Sequence, residues 1–188
     1  MGDRFEQLTD KHVEFISQQP MFFVGTATAT GFVNISPKGM DTFRVINNRQ
    51  VAWLNLTGSG NETAAHMLEN KRMTIMFCSF AKHPMILRLY GDASVTHSRD
   101  RDWDHLISLF PESPGARQVF KLDLTLVQKS CGYAVPYFEP RGQRPTLARW
   151  AENRGEEGIR EYWEERNTRS LDGKPTGISL TGAVEKKG

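Results

Sequence analysis

Three short stretches of the sequence place chemistry-bearing residues where a ligand could reach them. In Asn34-Ile35-Ser36-Pro37-Lys38-Gly39 an extended segment runs into a Pro-Lys-Gly turn. Gly39 allows close backbone approach to a ligand, and Lys38 can set a positive charge on a phosphate or beside a ring. A plain turn carrying a solvated lysine explains the same residues, since Pro and Gly mark most turns. In Leu56-Thr57-Gly58-Ser59-Gly60-Asn61-Glu62-Thr63 two glycines and several hydroxyls lead into a helix start. Free backbone N–H groups at the positive end of a helix dipole suit an anion. The stretch is neither a Walker loop nor a dinucleotide fingerprint, and simple capping by Asn61 or Thr63 competes with a ligand role. The third candidate is Arg88, inside the apolar run 86–91. A charge there must leave the core, find a carboxylate or meet a ligand.

Other reactive side chains read as structural. His66 is expected to cap or pack, Cys78 to fill a core, and Cys131 to be a buried, inert thiol. Trp150 and Trp163 lie among charges and are expected to anchor either a core or an interface. No metal-ligand set, Ser-His-Asp arrangement or carboxylate pair emerges, so any redox or transfer chemistry would fall to a cofactor.

The whole chain narrows the class. Its 188 residues suit one domain with a small appendage, and 38% hydrophobic against 24% charged residues describes a folded chain rather than a disordered one. A net charge of +2 gives no bulk case for nucleic acid. No apolar run is long enough for a membrane-spanning helix, and the start lacks the layout of a signal peptide. Two cysteines are too few for a disulfide framework. A cytoplasmic location is expected.

Periodicity supplies the elements that must hold these residues. A helix is expected over 9–18 with Thr9 as its N-cap, ended by Pro20. Strands are expected over 21–30, 32–36, 41–46, 51–56, 73–80, 85–95 and 120–133. Helices are expected over 61–70 and 99–109, and two more over 146–153 and 156–167. The composition shifts near Val135, where Pro136, Pro140, Gly142 and Pro145 mark a linker. This divides the chain into a domain over 1–135 and a helical extension with an unanchored tail over 136–188. Short strands without regular strand–helix alternation point to a small barrel or sandwich.

The order of these features over 22–94 resembles the pyridoxamine 5′-phosphate oxidase-like, FMN-binding split-barrel family. The match runs through Ser36-Pro37-Lys38-Gly39, the strand 51–56, the loop from Thr57 into a helix with Leu68-Glu69-Asn70, Met73-Thr74-Ile75-Met76-Phe77, and Leu87-Arg88-Leu89-Tyr90-Gly91. The resemblance implies a mainly β, α+β fold: a six-stranded antiparallel split β-barrel, Greek-key-like, with flanking helices. It also implies a homodimer with FMN at the subunit interface. Carried over residue by residue, Ser36, Pro37 and Lys38 would lie near the flavin ring or ribityl chain. Thr57, Gly58, Ser59, Asn61 and Thr63 would lie near the phosphate, with Arg88 a candidate for either.

The resemblance also carries a departure. The name-giving oxidase has a basic pair at the helix start where this chain has Glu62-Thr63, and a glutamate cannot pair with a phosphate. Its C-terminal arginine-containing signature has no counterpart in the residues after Pro136. The expectation is therefore an FMN-binding oxidoreductase of an oxidase-related branch, passing electrons or hydride to an unidentified small-molecule substrate. The alternatives on the same fold are a non-catalytic flavin-binding or sensing module, a deazaflavin protein, or a haem protein. Haem would take an axial ligand from His66, His83, His97 or His105. No metal, nucleic-acid or membrane partner is expected.

Overall fold

Apolar residues recurring at every second position fold most of residues 22–130 into strands that bury one face each. The computed structural model describes residues 2–178. Its strands are β1 (Asp3–Phe5), β2 (Phe22–Thr26), β3 (Asn34–Lys38), β4 (Phe43–Asn47), β5 (Gln50–Leu56), β6 (Arg72–Cys78), β7 (Ile86–His97) and β8 (Ala116–Ser130). Its helices are α1 (Asp10–Ser17), α2 (Glu62–Glu69), α3 (Trp103–Ile107) and α4 (Thr146–Arg166). No helix among the described residues is long and apolar enough to cross a membrane.

All ladders are antiparallel, in the order β3-β2-β6-β7-β8-β5-β4, with β1 added to β8. The two longest strands, β7 and β8, form the centre, and their register shifts between Tyr90 and Gly91. Here a Cβ on Gly91 would lie 1.9 Å from the Asp123 carbonyl oxygen, so only glycine permits the approach. The sheet curls until its ends face each other. The Phe22 ring on β2 lies 5.1 Å from Phe43 on β4, and Phe43 lies 5.0 Å from Phe77 on β6. No ladder joins β3 to β4 or β5, which makes the fold a split barrel.

Val24, Trp53, Ile75, Phe77, Leu87, Leu89, Phe120 and Leu122 fill the interior, and Trp53 stacks on Phe120 at 4.6 Å. The opposite face of β5 is buried too. Ala52 and Leu54 pack with Val119 under Leu106 of α3 and the following Phe110. That double burial removes the polar–apolar alternation from β5 and leaves a continuous apolar run.

Several sequence expectations meet the structure directly. Thr9 caps α1 in a reciprocal box with His12. The two expected C-terminal helices are the halves of α4, broken at Gly155, whose φ of 65° is left-handed. Other expectations are corrected. Eight strands stand among the described residues where periodicity marks seven and the resemblance implies six; the one that periodicity misses is β1, which has only three residues and owes its conformation to pairing with β8. The strand expected over 120–133 begins at Ala116, since its first residues pair with β5. β3 continues through Pro37, which is tolerated because β3 ends the sheet path and lacks an outer partner. Cys131 is exposed rather than buried, lying just past the end of β8. Ser170, Thr176 and Ile178 are buried, so the chain after α4 is anchored up to residue 178. The rest of the tail expected to be unanchored lies outside the described residues.

Gly91→Ala must push apart the β7–β8 backbone at the bend. We expect a loss of about 1–3 kcal/mol or more, the range for inserting atoms into a packed interior, read as a lower denaturation midpoint.

Candidate functional site

The split between β3 and β5 opens into a polar cleft of about 720 Å³. Alternation along β3 decides what faces it. Asn34, Ser36 and Lys38 point in, while Ile35 is exposed on the other side of the strand. The end of β5 adds Asn55 and Leu56, the following loop adds Gly58, Ser59 and Gly60, and α2 begins at its rim with Asn61, Glu62 and Thr63 nearby. β8 contributes Arg117. Glu165, Arg166, Arg169, Ser170 and Leu171, from the end of α4 and beyond, form the far wall.

Two cations lie deep in this cleft. Lys38 Nζ is 3.4 Å from Asn55 Oδ1 and 5.0 Å from the centre of the Trp53 ring. Burial, with a smaller contribution from the charge of Arg117, pushes its pKa down to about 8. Arg117 is only 4% exposed. Burial lowers its pKa to about 10, against a smaller upward pull from Tyr162. Its Nη1 donates to Asn167 Oδ1, and its Nε has no partner. Among the described residues neither cation has a carboxylate within ion-pair distance.

A hydrogen-bonded row surrounds them. Asn55 Nδ2 donates to Gln118 Oε1 at 3.0 Å, while Gln118 Nε2 is buried without an acceptor. Asn34 Nδ2 donates to Thr63 Oγ1 at 3.2 Å and Thr26 Oγ1 at 3.3 Å, and Ser36 Oγ donates to Asn34 Oδ1 at 3.0 Å. Thr26 Oγ1 lies 3.0 Å from His66 Nδ1. Asn61 occupies the N-cap position of α2 but makes no capping bond, and its Oδ1 is buried without a partner.

Asn167 is the joint between barrel and C-terminal wall. Fully buried, it accepts from Arg117, donates through Nδ2 to the Gly58 carbonyl at 3.1 Å, and accepts from Asn61 and Thr176 at its backbone oxygen. Trp163 Nε1 donates to Thr57 Oγ1 at 2.8 Å, and Thr57 Oγ1 donates to the Gly115 carbonyl at 2.8 Å. Gly115 has a φ of 76°, and a Cβ there would meet Ala151 at 3.2 Å, so the turn before β8 lets α4 dock closely.

Of the residues singled out from sequence, Ser36, Lys38, Gly58, Ser59, Asn61 and Thr63 line this one cleft. Pro37 does not. It lines a second, shallower cleft with Met40 and Trp150. Thr57 is buried behind the wall as the anchor of Trp163. Arg88 stays on the β6–β7–β8 part of the sheet, where Nη1 donates to Ser130 Oγ at 3.0 Å. None of the four histidines considered as axial ligands lines the basic cleft. Sequence reasoning included Asn34 only as the start of its first candidate stretch and missed Asn55, Arg117, Arg166 and Arg169. Asn34 shares the two-residue period of Ser36 and Lys38 and was legible on that ground. Arg117 was not, since it precedes the apolar run that announces β8.

Comparison with known proteins agrees with the architecture. The family model described as Pyridoxamine 5'-phosphate oxidase matches residues 8–131. The chain is 39% identical over 204 aligned positions to the "Pyridoxamine 5'-phosphate oxidase family protein ustO" of Aspergillus flavus, covering 98% of this chain and 80% of that protein. This chain therefore belongs to the pyridoxamine 5′-phosphate oxidase family. Among solved structures, a putative pyridoxamine 5′-phosphate oxidase from Lactobacillus delbrueckii superposes with a TM-score of 0.52 at 19% identity, over 65% of this chain and 94% of that one. A HupZ variant of Group A Streptococcus superposes with a TM-score of 0.54 at 17% identity, over 65% and 98%. These two likenesses are likenesses of fold. The family match ends before α4, so the C-terminal wall lies outside it.

Asn167→Ala would strand the Arg117 guanidinium and the Gly58 carbonyl. We expect a loss of about 2–5 kcal/mol in a denaturation experiment, the range for leaving a buried polar or charged partner unpaired. A change within about 0.5 kcal/mol, the usual range at neutral surface sites, would remove Asn167 from that role.

Proposed function

We propose that the basic cleft binds flavin mononucleotide. The protein is then a flavin-dependent oxidoreductase, related to pyridoxamine 5′-phosphate oxidase, that acts on a different small molecule. The observation that carries this reading is the pair Lys38 and Arg117: a half-buried and a fully buried cation in one cleft with no carboxylate within ion-pair distance. Such charges are costly unless something anionic neutralises them. A phosphate ester does so, and family membership makes a flavin phosphate the leading candidate.

The residues present fit that group. Arg117 Nε is an unused donor, Asn61 Oδ1 is an unused acceptor, and Ser36, Ser59 and Thr63 bring hydroxyls to the same space. The volume of about 720 Å³ lies within the range of small-molecule sites. Bound flavin supplies a ring that takes up and returns a hydride or electrons. Lys38 and Arg117 neutralise the anionic end, Asn55, held by Gln118, orients polar edges, and Trp53 excludes water beneath Lys38. The difference in substrate is supported by Glu62, which occupies the position of the oxidase's basic pair.

The reading carries a homodimer and a cytoplasmic location with it. Phe32, Val33 and Ile35 are each at least two-thirds exposed on the β2–β3 hairpin. Val33 and Ile35 border a groove with Phe23 and Met76, an apolar surface suited to a second copy. Both cysteines are free, as in a reducing compartment. Size-exclusion chromatography with light scattering should give twice the chain mass; a monomer at micromolar concentration would remove the dimer.

The purified protein should show flavin absorbance bands or take up FMN saturably. Lys38→Ala should weaken FMN binding by about 1.5–3 kcal/mol, and unchanged affinity would count against its role. Wild-type affinity should also fall as pH rises through about 8, where Lys38 loses its charge, and Lys38→Ala should lose that step. The ligand-free protein should respond in the opposite sense. With its pKa lowered by folding, Lys38 makes stability rise with pH between about 8 and its ordinary value of 10.5.

A further inference from the structure

The start of α2 presents a contradiction. It is the end of a helix that attracts anions, yet its first residue is Glu62, which borders the cleft. If that carboxylate faced an incoming phosphate, it would repel it. Its bonding shows another use. Both Glu62 oxygens lie 3.1 Å from the backbone nitrogen of Leu171 and accept from its N–H. Glu62 thus holds the chain that follows α4 across the mouth of the cleft.

That chain carries the cations which the helix start lacks. Arg166 and Arg169 line the same cleft as Lys38 and Arg117. Arg166 Nε lies 2.9 Å from Glu165, and Arg169 Nη1 donates to the Gly173 carbonyl at 2.8 Å. Each guanidinium has five N–H donors, so both keep donors for a ligand. Further bonds fix the segment. Lys174 Nζ reaches Glu69 and Thr28, each at 2.9 Å, and Thr176 donates to the Asn167 carbonyl. Asn167 and Thr176 are fully buried. The cations therefore stand on a built wall.

We infer that residues 166–171 form a phosphate-recognising wall: Arg166 and Arg169 bind the phosphate of a phosphate monoester, and Glu62 is the positioning residue that latches the wall. This rests on the flavin reading only for the identity of the ester. Lys38 and Arg117 hold the anion from below, and the wall arginines close on it from the side. A dianionic phosphate, which can accept several charge-assisted bonds, gains more from this than a neutral flavin does.

The test compares FMN with riboflavin, which lacks the phosphate, by quenching of flavin fluorescence. The double variant Arg166→Ala/Arg169→Ala should bind FMN about 10–100-fold more weakly, while riboflavin affinity changes by less than about twofold. Glu62→Ala decides the latch, because the two accounts of Glu62 differ in sign. Relief of repulsion would tighten FMN, whereas loss of the latch weakens it about five- to tenfold. Riboflavin binding and the thermal unfolding midpoint report whether each variant is folded. If Glu62→Ala does not fold, the arginine pair, exposed and outside any core, decides alone. Unchanged FMN affinity in the double variant, an equal loss for both flavins, or tighter FMN binding by Glu62→Ala overturns the inference. A wild-type protein that ignores both flavins overturns the flavin reading instead. The wall is then read with inorganic phosphate. A midpoint raised in wild type but not in the double variant upholds it, and no rise in wild type ends it.

Discussion

Two positive charges, Lys38 and Arg117, are held in the split of a curled sheet with no carboxylate to answer them. An unneutralised cation in a poorly solvated place is among the least favourable things a fold can contain. Much around the cleft serves to make it tolerable. Asn55 and the face of Trp53 attend Lys38, and Asn167 attends Arg117. The pKa values of both are pushed down mainly by burial, which records how incompletely those neutral partners replace water. That imbalance is the ground on which an anionic ligand is proposed for the cleft.

The curl of the sheet is what brings the pair together. Lys38 comes from one end of the strand path, and Arg117 from the strand beside β5 near the other. They share a cleft because β7 and β8 bend at Gly91 and because the Phe22, Phe43 and Phe77 rings interlock across the gap. The aromatic cluster closes one side of the barrel by packing alone, and its far side remains open for polar chemistry. The same opening leaves β3 without an outer partner, and Pro37 suits a strand in that position.

The C-terminal chain then converts an open gap into a bounded site. α4 lies outside the segment matched by the family, yet its end touches the loop 57–61 through Trp163 and Asn167. Two halves broken at Gly155 let it turn back on itself and pack Ala151, Ile159 and Trp163 with Ile178 into a small core of their own. The core matched by the family thus supplies floor and cations, while the extension beyond that match supplies the wall.

What was legible in the sequence follows from what acts over short distances. Alternation announced the strands, Thr9 announced the cap of α1, the two expected helices over 146–153 and 156–167 bracketed the break in α4, and the hydroxyl-rich loop after β5 announced one side of the cleft. The resemblance put Ser36, Pro37 and Lys38 together at the ligand; the two-residue period of β3 turns Ser36 and Lys38, with Asn34, into the cleft and Pro37 away from it. Arg88 was misleading because a charge in an apolar strand shows only that it needs a partner, and its partner is Ser130, 42 residues away in sequence. Arg117, Asn167 and the bond from Leu171 to Glu62 were decided only by the tertiary structure. Each depends on contacts between segments separated by 50 to 109 residues, and no local pattern of size, charge or period encodes which distant backbone a side chain will meet.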